Sequence, residues 1–184
     1  RPGPVVLSLP EDMLTDQTTS RTTSVLDIFQ SSPTKSAIAN FYERLKTAKR
    51  PIIIVGGNTW TKEAVSKLTK FVDENSIPVL TSYRAQDRFD NRNENYIGHS
   101  SYAIPPETRK KIEESDFILA LGARLGEVTT QGYSTIKVPE PEQYLVHVHP
   151  DINEIGSVYN PNIGIPSGMQ EFTEALSSLP KIET

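Results

Sequence analysis

From Ser32 onward, apolar residues follow two alternating periods along the chain. Ile38, Phe41, Tyr42 and Leu45 fall on one helical face, and Ser32 with Pro33 reads as the cap and first position of that helix. Pro51 to Val55 is a short, almost wholly apolar run that stops at Gly56-Gly57. Ala64, Val65, Leu68, Phe71 and Val72 mark a second helix, and Pro78 to Thr81 a second strand. Ser82 to Pro105 reads as loop, and Pro106 opens a short helix through Ile112. Phe117 to Leu121 is a strand closed by Gly122, Lys137 to Gln143 a Pro/Glu-rich loop, and Tyr144 to His149 another strand. Asn153 to Val158 reads as a helical turn. Ser167-x-x-Gln170 has the form of a capping box, followed by Met169, Phe172, Ala175, Leu176 and Leu179 on one face. The strands are continuous apolar runs, which implies burial on both faces, as in a parallel sheet covered by helices. Strand-helix alternation with right-handed crossovers then predicts an α/β fold with an open, doubly wound sheet.

The first 32 residues obey neither period. Val5 to Leu9 reads as a buried strand closed by Pro10, and Thr18 to Ser24 as surface linker, with a short buried patch at Val25 to Phe29. A strand this near Arg1-Pro2-Gly3-Pro4, in a chain that does not start with Met, predicts a piece of a longer protein. The expected division is an arm and linker over 1–32 and a domain over 33–184.

Composition narrows the function classes. The length of 184 residues suits one domain with an arm. A net charge of -4 argues against nucleic-acid binding, which needs a basic face. The absence of cysteine removes disulfides, thiolate metal sites and a Cys nucleophile. No apolar run approaches the ~18 residues that would span a bilayer, and no signal-peptide pattern opens the chain.

In open α/β sheets, ligands sit beyond the carboxyl ends of the strands. That rule selects Gly56-Gly57-Asn58, Thr81-Ser82-Tyr83, Gly122-Ala123-Arg124 and His149-Pro150-Asp151. Gly56-Gly57 lets backbone N–H groups approach a phosphate, although a tight strand-to-helix turn is the plainer explanation of the glycines alone. Arg124 can fork onto a phosphate or carboxylate, or form an ordinary ion pair. His147, His149 and Asp151 alternate like metal ligands on one strand face. Pro150 interrupts that strand, however, and a capping role for Asp151 is the plainer reading, so no metal site is expected. The charged loop Arg84, Asp87, Arg88, Asp90, Asn91 and Arg92 either clamps an anion, faces another subunit or pairs locally. No nucleophile elbow or Ser/His/Asp triad is visible, and no catalytic residue is assigned.

Taken in order, these segments resemble thiamine-diphosphate enzymes of the acetolactate synthase type. Arg1-Pro2-Gly3-Pro4-Val5, with Leu9-Pro10 and Asp12, is similar to the end of their pyrimidine-binding domain. Pro51 through Gly57 is similar to the first strand and turn of their central domain. Ile77-Pro78-Val79, Ser115 through Leu125, and Val146 through Asp151 with Glu154-Ile155-Gly156 are similar to later landmarks. The resemblance implies a six-stranded, mainly parallel Rossmann-like sheet, the middle of three domains in a cytoplasmic homo-oligomer. Thiamine diphosphate and Mg²⁺ would be held by the pyrimidine- and diphosphate-binding domains, which this chain lacks. The central domain binds FAD or ADP in some members and no nucleotide in others. Its cofactor-binding positions would be Gly56, Gly57, Asn58, Thr81, Ser82, Gly122, Arg124, His149 and Asp151. The implied chemistry is decarboxylation or carboligation of a 2-oxo acid.

Three departures keep acetolactate synthesis and FAD binding from following directly. Gly126-Glu127-Val128 replaces Asp-Asp-Arg, Gly98-His99-Ser100-Ser101 replaces Gly-x-His-Gly, and His149-Pro150-Asp151 replaces Asp-Ile-Asp. The rival readings are a free-standing nucleotide- or flavin-binding module and a purely structural domain. An NAD-dependent deacylase on a similar fold is rejected because its usual zinc cysteines are absent.

Overall fold

The computed structural model describes residues 3–182. Arg1 and Pro2 of the expected arm lie outside the described residues. Six strands form one sheet: β1 (Pro51–Val55), β2 (Val79–Thr81), β3 (Tyr96–His99), β4 (Phe117–Leu121), β5 (Tyr144–His149) and β6 (Ile163–Pro166). Their order is β3-β2-β1-β4-β5-β6, and every pairing is parallel. The order runs outward in both directions from the β1–β4 pair, so the crossovers diverge there and leave a crevice at its carboxyl end.

The apolar runs are explained by two cores, one on each face. Ile53, Val55, Leu119, Leu121, Val146 and Val148 face α1 (Lys35–Leu45), α2 (Lys62–Asn75) and α4 (Met169–Ser177). The Phe41 ring packs 5.9 Å from Phe172 and 6.1 Å from Phe117 at the centre of this layer. The alternate residues Ile52, Ile54, Leu80, Ile118, Ala120 and Leu145 face α3 (Pro106–Glu113) and the segment beyond β4. Successive side chains of a strand point to opposite faces, so a strand buried on both sides must be apolar throughout.

Two helix starts differ from expectation. Helix α1 begins at Lys35, and Thr34 caps it by accepting the Ala37 N–H at 3.1 Å, two residues beyond Ser32. The predicted capping box before α4 does not form. Gly168 is the cap position, the Ser167 hydroxyl donates to the Gly168 carbonyl, and Gln170 accepts from Thr61. Thr61 also accepts the Ala64 N–H at 3.0 Å, so one hydroxyl caps α2 and ties it to α4. Lys67 bridges the same two helices through Glu63 and Glu174.

Strands β3 and β6 were not legible as strands. Both lie at sheet edges, where only one neighbour is present. β3 is half-buried, and its register shifts against β2. β6 carries Gly164 and Pro166, which an edge tolerates and a central strand does not.

The arm departs most from expectation. Val5 to Leu9 forms no strand, and all of it but Ser8 is large apolar residues in solvent. Val25 to Phe29 is not a buried patch, since Val25 is 95% and Phe29 92% exposed. Neither stretch finds an apolar surface among the described residues. The arm is anchored at Ser31, whose carbonyl accepts the Gly168 N–H at 3.0 Å and whose hydroxyl donates to the Pro166 carbonyl at 3.1 Å. Among the described residues, no helix is long and apolar enough to cross a membrane.

Because the arm before Asp12 buries no apolar side chain, deleting it leaves the melting temperature within about 2 °C of the intact chain by differential scanning calorimetry. A larger fall would show that it supports the core. The crossing of the β1 and β4 ends gives the opposite expectation. A Cβ on Gly122 would lie 2.6 Å from the Gly56 carbonyl oxygen, and Gly57 and Gly122 have φ of 78° and 64°. Gly57→Ala and Gly122→Ala are each expected to cost more than about 2 kcal/mol in urea unfolding. Gly126→Ala, with nothing within 4 Å of the added methyl, serves as the control and should cost little.

Candidate functional site

At the carboxyl end of the sheet, the turns after β1 and β4 press backbone against backbone. The ladder continues past both strands: the Gly56 N–H donates to the Leu121 carbonyl at 2.9 Å, and the Gly122 N–H to the Val148 carbonyl at 2.8 Å. The Trp60 indole N–H donates to the Gly56 carbonyl at 2.7 Å, and Arg88 Nε to the Gly57 carbonyl at 3.1 Å. With both carbonyls held, the Gly57 and Asn58 N–H groups have no acceptor among the described residues. Both residues line a cleft of about 540 Å³.

The cleft brings together Gly57, Asn58, Ser82, Gly122, Arg124 and His149 from the positions singled out in the sequence. Gly56, Thr81 and Asp151 stand outside its lining. Gly56 is buried beneath it, where a side chain would strike Ser82 and Ala123. Thr81 is fully buried, with its hydroxyl 3.2 Å from the Tyr96 hydroxyl. The Asp151 carboxylate caps the 3-10 turn Ile152–Glu154 by accepting the Asn153 N–H and side-chain amide, each at 3.0 Å.

Sequence reasoning noted Gly126-Glu127-Val128 only as a departure from the family pattern and missed the wall that they form with Thr129 and Tyr133. This loop folds on itself: the Thr130 N–H and hydroxyl both reach the Gly126 carbonyl, and the Gly132 N–H reaches the Glu127 carbonyl at 2.8 Å. Gln131 and Tyr133 take left-handed φ of 50° and 60°. Arg109 of α3 holds the loop through Gln131 at 2.8 Å and is itself braced by Glu113 at 2.7 Å. The available signal was the cluster Thr129-Thr130-Gln131-Gly132, a turn-forming composition in the connection between β4 and β5.

Arg124 lies at the cleft's edge with 64% of its side chain exposed, and its Nε pairs with Glu154 Oε2 at 2.6 Å. The pair aims the guanidinium, and the Nη groups have no acceptor among the described residues. Arg124 is the only cation and Glu127 the only carboxylate among the described residues lining the cleft, so the local charge balances. The charged loop after β2 is paired internally. Asp90 accepts the N–H, Nε and Nη2 of Arg92, which holds its carboxyl down at about 2, and Arg88 pairs with Asp87 at 2.5 Å.

Both histidines of β5 are hydrogen-bonded within the sheet end. His147 Nε2 lies 3.0 Å from the Ala123 carbonyl oxygen. A carbonyl only accepts, so Nε2 carries the proton. Burial pushes the His147 pKa down to about 4 and keeps the ring neutral. The His149 ring meets the His147 ring edge-on at 6.0 Å, and its Nδ1 lies 3.0 Å from the Asp151 backbone nitrogen. Among the described residues, no three His, Asp or Glu side chains converge as a metal site would require.

A family model described as thiamine pyrophosphate enzyme, central domain, matches residues 38–176. Over 175 residues the chain is 23% identical to a sulfoacetaldehyde acetyltransferase of Alcaligenes xylosoxydans xylosoxydans, covering 95% of this chain and 29% of that protein. It is 26% identical over 172 residues to the acetolactate synthase large subunit of Haemophilus influenzae, covering 90% of the chain and 29% of the relative. The corresponding subunit of Lactococcus lactis subsp. lactis is 25% identical over 192 residues, covering 100% of the chain and 32% of the relative. The chain thus spans about a third of the length of these curated relatives.

The neutral His147 makes stability pH-dependent. Its folded pKa of about 4 lies below the ordinary 6.5, so between those values the unfolded chain binds more protons. Stability is therefore full above pH 6.5 and falls as pH drops toward 4, by on the order of 3 kcal/mol from this group. His147→Gln should flatten urea-unfolding stability between pH 4 and 6.5. Asp90 titrates below that window and leaves the comparison clean.

Proposed function

Because the chain belongs to the thiamine pyrophosphate enzyme central-domain family, we propose that it is the middle unit of an enzyme acting on a C–C bond beside a carbonyl, by 2-oxo acid decarboxylation or carboligation. The observation that carries this reading is the central-domain match over residues 38–176, on a six-stranded parallel sheet whose order reverses at β1 and β4. Thiamine diphosphate, with Mg²⁺, would supply the chemistry, since its thiazolium stabilises negative charge on the carbonyl carbon. By this reading the neighbouring domains hold both groups, and no step of that chemistry is assigned to this chain. The domain's own part is to connect and orient its neighbours. Residues 1–32 are then the outgoing end and linker of a preceding pyrimidine-binding domain, and residues 33–184 the central unit. The exposed Val5, Val6 and Leu7 support this, as apolar side chains whose natural cover is another domain. A cytoplasmic homo-oligomer is the setting this reading implies.

The cleft is the place for a nucleotide if the domain holds one. The Gly57 and Asn58 amides would donate to phosphate oxygens, Arg124 would fork onto the same group, and Ser82 would add a hydroxyl. Glu127 faces that position and opposes an anion, which favours weak binding of FAD or ADP.

Two measurements test the reading. Supplied with thiamine diphosphate, Mg²⁺ and pyruvate, the chain alone releases no CO₂ above buffer, while the full reading frame that contains it turns over a 2-oxo acid; robust turnover by the chain alone would overturn the domain assignment. In isothermal titration with ADP and FAD, Glu127→Gln tightens any binding by about fivefold and Arg124→Ala removes it. Tight FAD binding that survives Arg124→Ala would mean that the site is elsewhere.

A further inference from the structure

The opposite end of the sheet carries a second recess, away from the cleft. It measures about 460 Å³ and opens where β1 and β2 begin, at Pro51, Ile52 and Pro78. Buried Leu45, Ile52 and Ile77 form its floor, with half-buried Ala48 and Ile182 as walls. The Ile182 wall is fixed, because the Ile182 N–H donates to Asn75 Oδ1 at 2.8 Å. The size and the predominantly apolar lining match a small-molecule site, and hydrating such a recess is costly.

Its mouth is cationic. Lys49, Arg50 and Lys111 stand around it, with Glu114 the only acidic residue among them. Neighbouring negative charge is already engaged: Glu114 pairs with Lys110 at 3.6 Å, and the Asp116 carboxylate accepts the Lys49 and Arg50 backbone N–H groups at 2.8 and 2.9 Å. Arg50 Nε donates to the Glu114 carbonyl at 2.5 Å, which fixes the guanidinium in place. Among the described residues, neither Lys49 nor Lys111 has an ion-pair partner. An apolar floor beneath a rim where, among the described residues, Lys49, Arg50 and Lys111 outnumber Glu114 selects a ligand with an apolar body and an anionic head.

We propose that the amino ends of β1 and β2 form a binding site for a small amphiphilic organic anion, such as a medium-chain carboxylate. The apolar chain fills the recess over Leu45, Ile52 and Ile77, and the carboxylate rests between Lys49, Arg50 and Lys111. The site is separate from the cleft at Gly57 and Arg124, so its occupancy stands independently of any nucleotide.

The test titrates the intact chain with octanoate, octanol and octylammonium at low ionic strength, by isothermal titration and by the shift in melting temperature. Octanoate is expected to bind about tenfold more tightly than octanol, to weaken with added salt, and to raise the melting temperature, while octylammonium does not bind. Lys49→Glu/Lys111→Glu changes only exposed side chains and should reverse the order of octanoate and octylammonium. Ala48→Trp fills the recess and should abolish binding of all three. Equal binding of octanoate and octylammonium, octanoate binding untouched by Ala48→Trp, or concentration-dependent self-association in place of octanoate binding would each overturn the proposal.

Discussion

Two peptide turns, one after β1 and one after β4, sit too close for any side chain between them. Gly57 and Gly122 each hold a left-handed backbone, and each faces a backbone atom of the other turn. This contact fixes how closely the two central strands run at their carboxyl ends. It leaves the Gly57 and Asn58 amides at the surface and sets Arg124 two residues beyond the crossing. The cleft is thus a by-product of how the sheet is closed at its midpoint. The rest of the site is hung on this frame: Trp60 and Arg88 lock the carbonyls of the first turn, and Arg109 props the far wall.

The sequence showed the buried part of this fold and hid the part at its edges. β1, β2, β4 and β5 are packed on both faces, so their composition alone announced them. β3 and β6 have one neighbour each, and their residues, including Gly98, Gly164 and Pro166, carry no apolar run. Helix ends were harder still. Ser32 and Ser167 had the right chemistry, but Thr34 and Gly168 had the right backbone, and a cap depends on dihedral angles that composition does not encode. The arm misled for a different reason. Val5 to Leu9 and Val25 to Phe29 are apolar enough to be buried, but whether they are depends on what surrounds them.

The position rule picked out residues that line the cleft where the strand end itself was the signal. Glycine turns and Arg124 were legible because a strand must stop there. Thr81 and Asp151 share those positions but turn away, one to the Tyr96 hydroxyl and the other to a 3-10 turn. The wall from Gly126 to Tyr133 owes its shape to a residue on a different element, Arg109, and no local pattern could have joined the two.

Ser31 gives the arm a mechanical meaning. Its carbonyl holds the Gly168 N–H, and the adjacent Ser167 N–H holds the His149 carbonyl at 3.2 Å, on the floor of the cleft. A pull on the arm is therefore borne by two backbone hydrogen bonds in series that end at the mouth of the sheet. The Gln30 and Glu171 side chains leave no room for a side chain at Gly168. The arm is a tether with its hitch at the carboxyl end of the sheet, so whatever moves it loads that end first.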